Sequence, residues 1–317
     1  MVKEKIPEYL EDTFSGFDEQ ELPSNANFEK GKVRDIFDLG EKLLIVTTDR
    51  ISAFDRVLTT IPCKGEVLNG LSNYWFHATE DIVANHLDEE VSPRSVLVKK
   101  AGVLPVEVVV RGYLTGSAWR DYSTGKGVSG IELPKGMRFN EKFEQPLFTP
   151  ATKAERGEHD LPISSEEVVT QGLVEEKVWK QVTQKAHELY QRGSEMVAQQ
   201  GLILVDTKYE FGIRDGEIVL VDEIHTPDSS RYWFTDTYEE LFSAGEKQKK
   251  IDKEYLRQWL MEQGFMGEGD PPEIPAEIRI EVAWRYIQAY QLITGKKFQP
   301  QDSILEAERK NLLSLLS

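Results

Sequence analysis

The first half of the chain is dominated by short apolar runs of the kind that form β-strands. Residues 43–47 read Leu-Leu-Ile-Val-Thr, and a Leu39-Gly40 turn before them predicts a hairpin with residues 32–38. Residues 96–98 and 106–110 are almost continuously apolar, which is typical of buried strands. The N-terminal region is therefore predicted to be rich in β-structure.

Helical patterns are concentrated in the second half. Residues 123–163 form a long irregular stretch that is rich in glycine, proline and charge. Ser164 and Glu167 have the spacing of a capping box, which predicts the start of a helical region that continues to about residue 200. After residue 226 we expect a loop and then helices to the end of the chain.

Between these regions, residues 202–224 predict a hairpin whose two faces differ in polarity. With a three-residue loop at 214–216, Lys208 lies opposite Asp222, and Glu210 shares their face. A two-residue loop would instead place Glu210 and Asp222 on opposite faces. We prefer the three-residue loop because it groups the charged side chains and leaves the apolar face unbroken.

Two carboxylates on one face have a chemical consequence. Taking ~4 Å separation and an effective dielectric of about 20, they repel each other by a few kcal/mol. A divalent cation turns that cost into a binding site, and hard oxygen ligands of this kind suit Mg²⁺. The alternative is a solvated strand face with a Lys–Asp pair.

Three other segments are candidates for anion binding or catalysis. Residues 31–34 combine backbone amides beside one glycine with two cations and could hold a triphosphate, or they are simply exposed basic residues. Arg111 ends a predicted strand and Ser117 begins a predicted helix, an arrangement that suits a phosphate monoester. The alternative there is an ordinary serine cap and a surface arginine. The polar loop 222–233 contains His225, either a general base or a structural histidine.

Composition narrows the class of protein. The 317 residues include 38 basic and 55 acidic ones, a formal net charge of −17, and the length predicts about two domains. Nucleic acid is disfavoured as a partner because duplex binding depends on Lys and Arg neutralising phosphates. One cysteine, Cys63, excludes an internal disulfide and fits a reducing compartment. The sequence lacks an apolar run of the ~18 residues that a membrane span needs and a secretory signal, so we expect a cytoplasmic protein.

Six blocks of the sequence form an ordered set of motifs: Gly31-Lys32-Val33-Arg34-Asp35, residues 49–55, residues 104–117, residues 148–155, Leu204-Val205-Asp206-Thr207-Lys208-Tyr209-Glu210-Phe211-Gly212, and residues 222–233. In the same order, they resemble motifs of the SAICAR synthetase (phosphoribosylaminoimidazole-succinocarboxamide synthase) family. They cover about residues 28–233, and the helical region that follows resembles the longer form of the enzyme. One departure is Leu161-Pro162, where the family pattern has Glu-Asn.

The resemblance implies a ligase that joins L-aspartate to 5-amino-1-(5-phosphoribosyl)imidazole-4-carboxylate with ATP, through an acyl phosphate, in purine biosynthesis. It implies a two-lobed α+β fold, kinase-like or ATP-grasp-like. Residues 1–110 would form a β-rich lobe covering ATP, and residues 111–317 a larger α+β lobe with the substrate site, ending in a helical region at 237–317. ATP and Mg²⁺ are the implied cofactors, and a monomer or small homo-oligomer the implied assembly. A small-molecule phosphotransferase with a related nucleotide site is the alternative.

The resemblance also implies roles for individual residues. ATP would be bound by Gly31, Lys32, Val33, Arg34 and Lys153, and Mg²⁺ by Glu210 and Asp222. The substrate would be bound by Ser52, Asp55, Arg111, Ser117, Lys208, Ser229 and Arg231. Lys208 and Asp222 would act in catalysis. The proton of the aspartate amine would pass to Asp206, His225 or solvent, three alternatives that the sequence leaves open.

Overall fold

The computed structural model of the protein describes residues 1–24, 26–153, 160–251, 254–300, 310 and 312–313. These residues cluster into two compact units. Unit 1 comprises Met1–Tyr74, Leu87–Lys100 and the described part of Ile251–Ser317, and unit 2 comprises Trp75–His86 and Ala101–Lys250. The division into functional lobes at residue 110 stays a prediction.

Strands and helices are both well represented, as expected of the α+β class. The strands are β1 (Asn27–Lys30), β2 (Arg34–Asp38), β3 (Lys42–Thr47), β4 (Arg50–Ala53), β5 (Arg56–Thr60), β6 (Leu87–Ser92), β7 (Ser95–Lys99), β8 (Gly102–Tyr113), β9 (Lys142–Thr152), β10 (Leu161–Pro162), β11 (Leu202–Arg214), β12 (Glu217–Val221) and β13 (Ser230–Phe234). The α-helices are α1 (Lys64–Ala78), α2 (Gly116–Ser123), α3 (Ser165–Thr170), α4 (Glu176–Ala198), α5 (Thr235–Ala244), α6 (Glu254–Glu262) and α7 (Ala276–Thr294), and the 3-10 helices are Lys3–Tyr9 and Glu19–Glu21. Of the helical region predicted at 237–317, residues 252–253, 301–309, 311 and 314–317 lie outside the described residues.

Unit 1 is built on a five-stranded antiparallel sheet in the order β1-β2-β3-β7-β6, with β4 and β5 as a separate hairpin. The predicted pairing of 32–38 with 43–47 is confirmed, since β2 pairs with β3 from Arg34–Thr47 to Asp38–Leu43. One face of the sheet buries an aromatic and aliphatic cluster. Its buried members are Phe14, Phe17, Phe37, Leu44, Val46 and Leu312.

Unit 2 contains a six-stranded antiparallel sheet in the order β10-β9-β8-β11-β12, in which β13 also pairs with β11. Strand β11 is 13 residues long and organises the sheet. Along one edge it pairs with β8, and along the other with β12 through its second half and with β13 through its first half. Helix α4 packs against this sheet through an apolar stripe that includes Trp179, Val182 and Leu189.

Helix α3 begins as predicted. The Ser164 hydroxyl accepts a hydrogen bond from the Glu167 N–H (3.1 Å), and the Glu167 carboxylate accepts one from the Ser164 N–H (2.9 Å). The two bonds satisfy backbone donors that a helix start leaves unpaired. The capping box is confirmed.

Three strands lie where the sequence predicted irregular structure. Strand β9 occupies Lys142–Thr152 although it contains Pro146 and Pro150, the two-residue β10 occupies Leu161–Pro162, and β13 occupies Ser230–Phe234. Proline is tolerated in β9 because, among the residues that the structure describes, the strand β10 pairs only with the last two residues of β9, so most of its outer edge has no paired strand. These parts of the prediction are wrong. Within the described ranges, no helix combines the length and apolar character needed to cross a bilayer.

Candidate active site

The turn between β11 and β12 sets the register of the charged face. Asp215 and Gly216 both have positive φ, 53° and 82°, and Arg214 pairs with Glu217. This is a two-residue hairpin turn whose twist matches that of the flanking strands. The predicted three-residue loop is therefore wrong, and Glu210 lies opposite Val221.

In this register a regular strand would put Asp222 on the face away from Glu210. Instead β12 ends at Val221, and Asp222 has a left-handed φ of 66°. Such a backbone costs an L-residue roughly 1–2 kcal/mol. It turns the Asp222 carboxylate back so that Oδ2 lies 3.7 Å from Lys208 Nζ. The predicted grouping of Glu210, Lys208 and Asp222 is present, but a backbone break produces it and not the strand register.

Five side chains form what we call the carboxylate–lysine cluster: Glu107, Lys153, Lys208, Glu210 and Asp222. Lys208 Nζ donates a hydrogen bond to Glu210 Oε1 and lies 3.2 Å from Glu107 Oε2. Lys153 Nζ donates to the second oxygen of Glu210. Three carboxylates thus meet two ammonium groups.

The surroundings shift the pKa of two members of the cluster. Burial works to lower the pKa of Lys208, but the carboxylates of Asp222, Glu210 and Glu107 outweigh it and raise the pKa well above its ordinary value. Burial raises the pKa of Glu107, and Lys208 opposes this only in part. Lys208 therefore remains protonated at neutral pH, and the cluster as a whole favours positive charge.

The donor set of the cluster suits Mg²⁺ in its usual protein setting. Among the residues that the structure describes, no three His, Cys, Asp or Glu side chains are arranged to hold a metal ion by themselves. Glu210 and Asp222 nevertheless offer carboxylate oxygens around one ammonium group, Lys208. Mg²⁺ typically takes one or two carboxylates and completes its shell with phosphate oxygens and water.

A second charged group lies nearer the start of β11, where Asp206 holds two arginines. Arg231 binds Asp206 with both ends of its fork, Nε to Oδ1 at 2.8 Å and Nη2 to Oδ2 at 2.7 Å. Arg111 Nη1 lies 3.5 Å from Asp206 Oδ2, and Arg111 Nε donates to Thr149 Oγ1 at 3.0 Å. Burial lowers the pKa of Arg111, and Asp206 opposes that effect. We call Arg111 and Arg231 the arginine pair; their two positive charges face one carboxylate.

The start of helix α2 lies against the arginine pair. Thr115 is the N-cap, so the predicted alternative of Ser117 as cap is wrong; Ser117 is the second residue of the helix. Gly116 has a φ of 60°, and a Cβ there would lie 2.0 Å from Arg231 Nη1. Only glycine allows the guanidinium this close to the helix start, where free N–H groups favour anions.

Ser229 contributes through its backbone. Its carbonyl oxygen accepts a hydrogen bond from the Lys208 N–H at 3.0 Å, and its hydroxyl lies 3.4 Å from that of Ser230. The turn containing Ser229 therefore joins the strand that carries Lys208 to the strand that carries Arg231.

Unit 1 contains the remaining predicted site residues. Gly31, Lys32, Val33 and Arg34 form the connection between β1 and β2 and the start of β2. Lys32 Nζ donates to Asp55 Oδ1, and both side chains are more than half exposed (57% and 56%). Asp55 lies in the turn between β4 and β5, and Ser52 lies on β4.

Glu107 is a site residue that sequence analysis missed. It alone interrupts the apolar run of residues 106–110, and in the structure it contacts Lys208. A charged residue inside a buried strand is costly unless paired, so the interruption was the available signal.

His225 is a poor proton acceptor in this environment. It is fully buried, and burial lowers its pKa to about 3. Its Nε2 lies 2.6 Å from Tyr209 Oη, and its ring packs edge-to-face on Trp75 at 4.7 Å between centroids. These contacts support a structural role. Asp206 is similarly engaged, by two guanidinium groups.

Part of one resembling block lies outside the described residues. Residues 154–155 of the block 148–155, and Glu158-His159 before the departure at Leu161-Pro162, fall in that gap. Leu161 and Pro162 themselves form β10, and both are exposed.

Comparisons with known proteins agree with this architecture. The family model for SAICAR synthetase matches residues 27–272. The phosphoribosylaminoimidazole-succinocarboxamide synthase of Bacteroides thetaiotaomicron is 47% identical over 303 residues, 93% of this chain and 96% of the relative. The enzyme of the same name from Legionella pneumophila strain Paris is 48% identical over 293 residues, 88% of this chain and 91% of the relative.

A solved structure is similar over most of its length. The SAICAR synthase from Saccharomyces cerevisiae, complexed with SAICAR, superposes with a TM-score of 0.79 at 35% identity, covering 91% of this chain and all of that chain. The expected SAICAR synthetase-like fold is confirmed.

Proposed function

Because the chain belongs to the SAICAR synthetase family, we propose that the two charged groups of unit 2 bind the reacting partners of that family's reaction. The protein is a ligase of purine biosynthesis, which joins L-aspartate to 5-amino-1-(5-phosphoribosyl)imidazole-4-carboxylate with ATP. This decides the choice that the sequence left open between a ligase and a small-molecule phosphotransferase. The observation that carries the site assignment is the meeting of Glu107, Glu210 and Asp222 around Lys208.

The arginine pair is proposed to bind the phosphate of the ribonucleotide. Asp206 neutralises one of the two guanidinium charges and fixes both forks, so a phosphate meets preorganised donors. Ser117 and the free N–H groups at the start of α2 add further donors. Ser229 is proposed to border the same substrate.

The carboxylate–lysine cluster is proposed to bind Mg²⁺ through Glu210 and Asp222. When bound, Mg²⁺ would neutralise charge on phosphate oxygens during phosphoryl transfer. Lys208, held protonated by its neighbours, would then interact with the transferred phosphoryl group or the substrate carboxylate. Lys153 would border the bound nucleotide.

In unit 1, the segment Gly31, Lys32, Val33 and Arg34 is proposed to bind the ATP phosphates. Glycine lets the backbone approach the ligand closely, and Lys32 and Arg34 supply positive charge. Ser52 and Asp55 are proposed to border the substrate. The exposed Lys32–Asp55 pair leaves both side chains accessible to ligands.

The reaction is proposed to proceed in two steps. An oxygen of the imidazole carboxylate attacks the γ-phosphorus, and the bond to ADP breaks, which gives an acyl phosphate. The aspartate amine then attacks the acyl carbon, and inorganic phosphate leaves. The side chains contribute orientation and charge neutralisation. Solvent is the favoured acceptor of the amine proton, because His225 is sealed and Asp206 is bound to two arginines.

We further propose that the enzyme works in the cytoplasm, as a monomer or small homo-oligomer, on small molecules alone. Its net charge of −17 supports the absence of a nucleic-acid partner. Sedimentation velocity would give the assembly state directly.

The metal assignment is tested by the Mg²⁺ dependence of turnover. Glu210→Gln should raise the Mg²⁺ concentration needed for half-maximal rate, because a neutral amide is a weaker ligand. Glu188→Gln is the matched control, since Glu188 is a carboxylate on α4 paired with Lys185. Equal Mg²⁺ dependence in both variants and the unmodified enzyme would refute the assignment.

A further inference from the structure

Arg50 is almost completely buried, and its guanidinium binds the segment 31–34 from the inside. Nη2 donates to the carbonyl oxygens of Gly31 (2.9 Å) and Arg34 (3.3 Å), and Nε donates to that of Lys32 (3.2 Å). The side chain is 6% exposed. One guanidinium therefore holds three carbonyl groups of the segment.

The fourth carbonyl is held by the residue two positions before Arg50. The Val33 oxygen accepts hydrogen bonds from the Thr48 N–H (2.9 Å) and hydroxyl (2.8 Å). In a trans peptide the N–H points opposite to the C=O of the preceding residue. With the carbonyls of 31–33 turned inward, the N–H groups of Lys32, Val33 and Arg34 are directed away from Arg50 and Thr48.

The guanidinium is itself fixed in place. Nη2 binds Asp35 Oδ1 at 2.6 Å, and the other oxygen of this fully buried carboxylate accepts the Phe17 N–H at 2.8 Å. A Cβ on Gly16 would lie 2.1 Å from Arg50 Nη1, so the chain packs closely against it. Arg50 thus has little freedom to release the segment.

We propose that Arg50 is a positioning residue for ATP. Through the carbonyls of Gly31 and Lys32 it orients the N–H groups of Lys32 and Val33 as phosphate donors, and Thr48 orients that of Arg34 through the Val33 carbonyl, as in the backbone concavities that bind anions elsewhere. It does so without touching the nucleotide. The inference rests on the proposed function of residues 31–34.

Steady-state kinetics of Arg50→Lys test the proposal. Lysine keeps the charge, but a single ammonium lacks the planar fork that reaches several carbonyls. The KM for ATP should rise by about tenfold or more, since charge-assisted hydrogen bonds that order the segment are lost. The KM for the ribonucleotide should stay unchanged. An unchanged KM for ATP, or an equal rise for both substrates, overturns the proposal.

Arg94→Lys is the matched control for general loosening of unit 1. Arg94 is a second buried arginine, held by Asp49 (3.3 Å) and Glu66 (3.2 Å). Its replacement should lower the melting temperature and leave the KM for ATP unchanged. If Arg94→Lys raises the KM for ATP as much as Arg50→Lys does, the effect is loss of stability and the proposal fails.

Two more variants separate the possible failures. Lys32→Ala changes the segment itself: if it raises the KM for ATP while Arg50→Lys does not, the positioning role is wrong but the proposed function stands. If neither variant affects ATP, the ATP site assigned to the segment is wrong. Should Arg50→Lys fail to fold, Thr48→Val decides, because it removes the hydroxyl bond to the Val33 carbonyl and the weaker one from the Arg50 N–H, and leaves the Arg50 guanidinium in place. A raised KM for ATP alone supports the proposal, and an unchanged one refutes it.

Discussion

In both units a basic side chain is paired with carboxylates carried by β-strands or their ends, but the two sites differ in how far they are exposed to solvent. In unit 1 the Arg50–Asp35 pair is sealed, with side chains 6% and 0% exposed and hydrogen bonds to surrounding backbone. In unit 2 Lys208 is 28% exposed, as is Asp222, and carboxylates outnumber ammonium groups in the cluster. The buried Arg50–Asp35 pair is fully engaged by protein groups. The partly exposed carboxylate–lysine cluster is accessible to a ligand.

The difference separates two uses of buried charge. Breaking a sealed pair leaves an uncompensated charge in the interior and costs stability. Changing an open group removes an interaction that forms fully only with substrate or metal, and costs activity. In this protein, substitutions of sealed groups should therefore change stability, and substitutions of open groups should change activity.

The largest effect is expected from Asp222→Asn. The amide keeps the shape but removes a charge from the proposed metal site, so kcat/KM should fall by about 10²–10³-fold. The melting temperature should change little. Product formation and ADP release report the activity, and Asp215→Asn, at the exposed hairpin tip, is the control. Near-normal turnover of Asp222→Asn would mean that the open cluster is not catalytic.

Arg231→Ala should weaken binding of one substrate selectively. Loss of a charge-assisted contact of roughly 1.5–3 kcal/mol should raise the KM for the ribonucleotide by about 10–100-fold. The KM for ATP should be nearly unchanged, because the arginine pair is assigned to the sugar phosphate. Arg192→Ala, which removes a partly exposed arginine paired with Asp81, should alter neither value. Similar losses for both substrates would contradict the assignment.

His225 is a sealed group of unit 2, and its contribution to the free energy of unfolding should depend on pH. Its pKa is lowered from 6.5 to about 3, so between these values the unfolded chain binds a proton that the folded protein does not. Stability is therefore lost as pH falls, by about 2 kcal/mol between pH 7 and pH 5 from this group alone. Urea unfolding of His225→Gln at both pH values should show a loss smaller by that amount. A collapse of kcat at neutral pH would instead point to proton transfer by His225.

The smallest effect, and one of opposite sign, is expected from Glu107→Gln. The raised pKa means that the folded protein holds a proton more tightly than the unfolded chain, so this group's contribution is present below pH 4.5 and is lost as pH rises. A neutral glutamine avoids that loss. Thermal melts should show a gain on the order of 1–2 °C at pH 7 that vanishes near pH 4. A lower melting temperature at pH 7 would show that the Lys208 contact outweighs burial.

Local patterns predicted the parts of the fold that depend on neighbouring residues. The hairpin of β2 and β3, strands β7 and β8 and the capping box at Ser164 follow from alternation, turn residues and cap spacing. Strands β9 and β13 were missed because they are stabilised by long-range pairing, with β8 and with the first half of β11. The prolines of β9 argued against a strand, and they are explained by the outer edge of β9, most of which has no paired strand within the described residues.

Local sequence patterns likewise predicted only part of the candidate site. Charged residues on β11 were predicted to share a face, and Asp206, Lys208 and Glu210 meet their partners there. The position of Asp222 was predicted from the wrong turn, and depends on a left-handed φ that no alternation rule contains. Glu107 could be predicted as a member of the cluster only by knowing that β8 lies beside β11, since Glu107 is the register partner of Glu210.

Strand β11 carries both charged groups of unit 2, with Asp206 four residues before Glu210 on the same face. At about 3.4 Å per residue, the strand separates these two positions by roughly 14 Å. One hydrogen-bonded strand thus sets the distance between the proposed sugar-phosphate site and the carboxylates proposed to bind the metal. Because β8, β12 and β13 all pair with that strand, the distance between the two positions is fixed by backbone hydrogen bonds. Under the proposed assignment, the backbone spacing itself would discriminate against substrates whose phosphate and carboxylate lie closer together or farther apart.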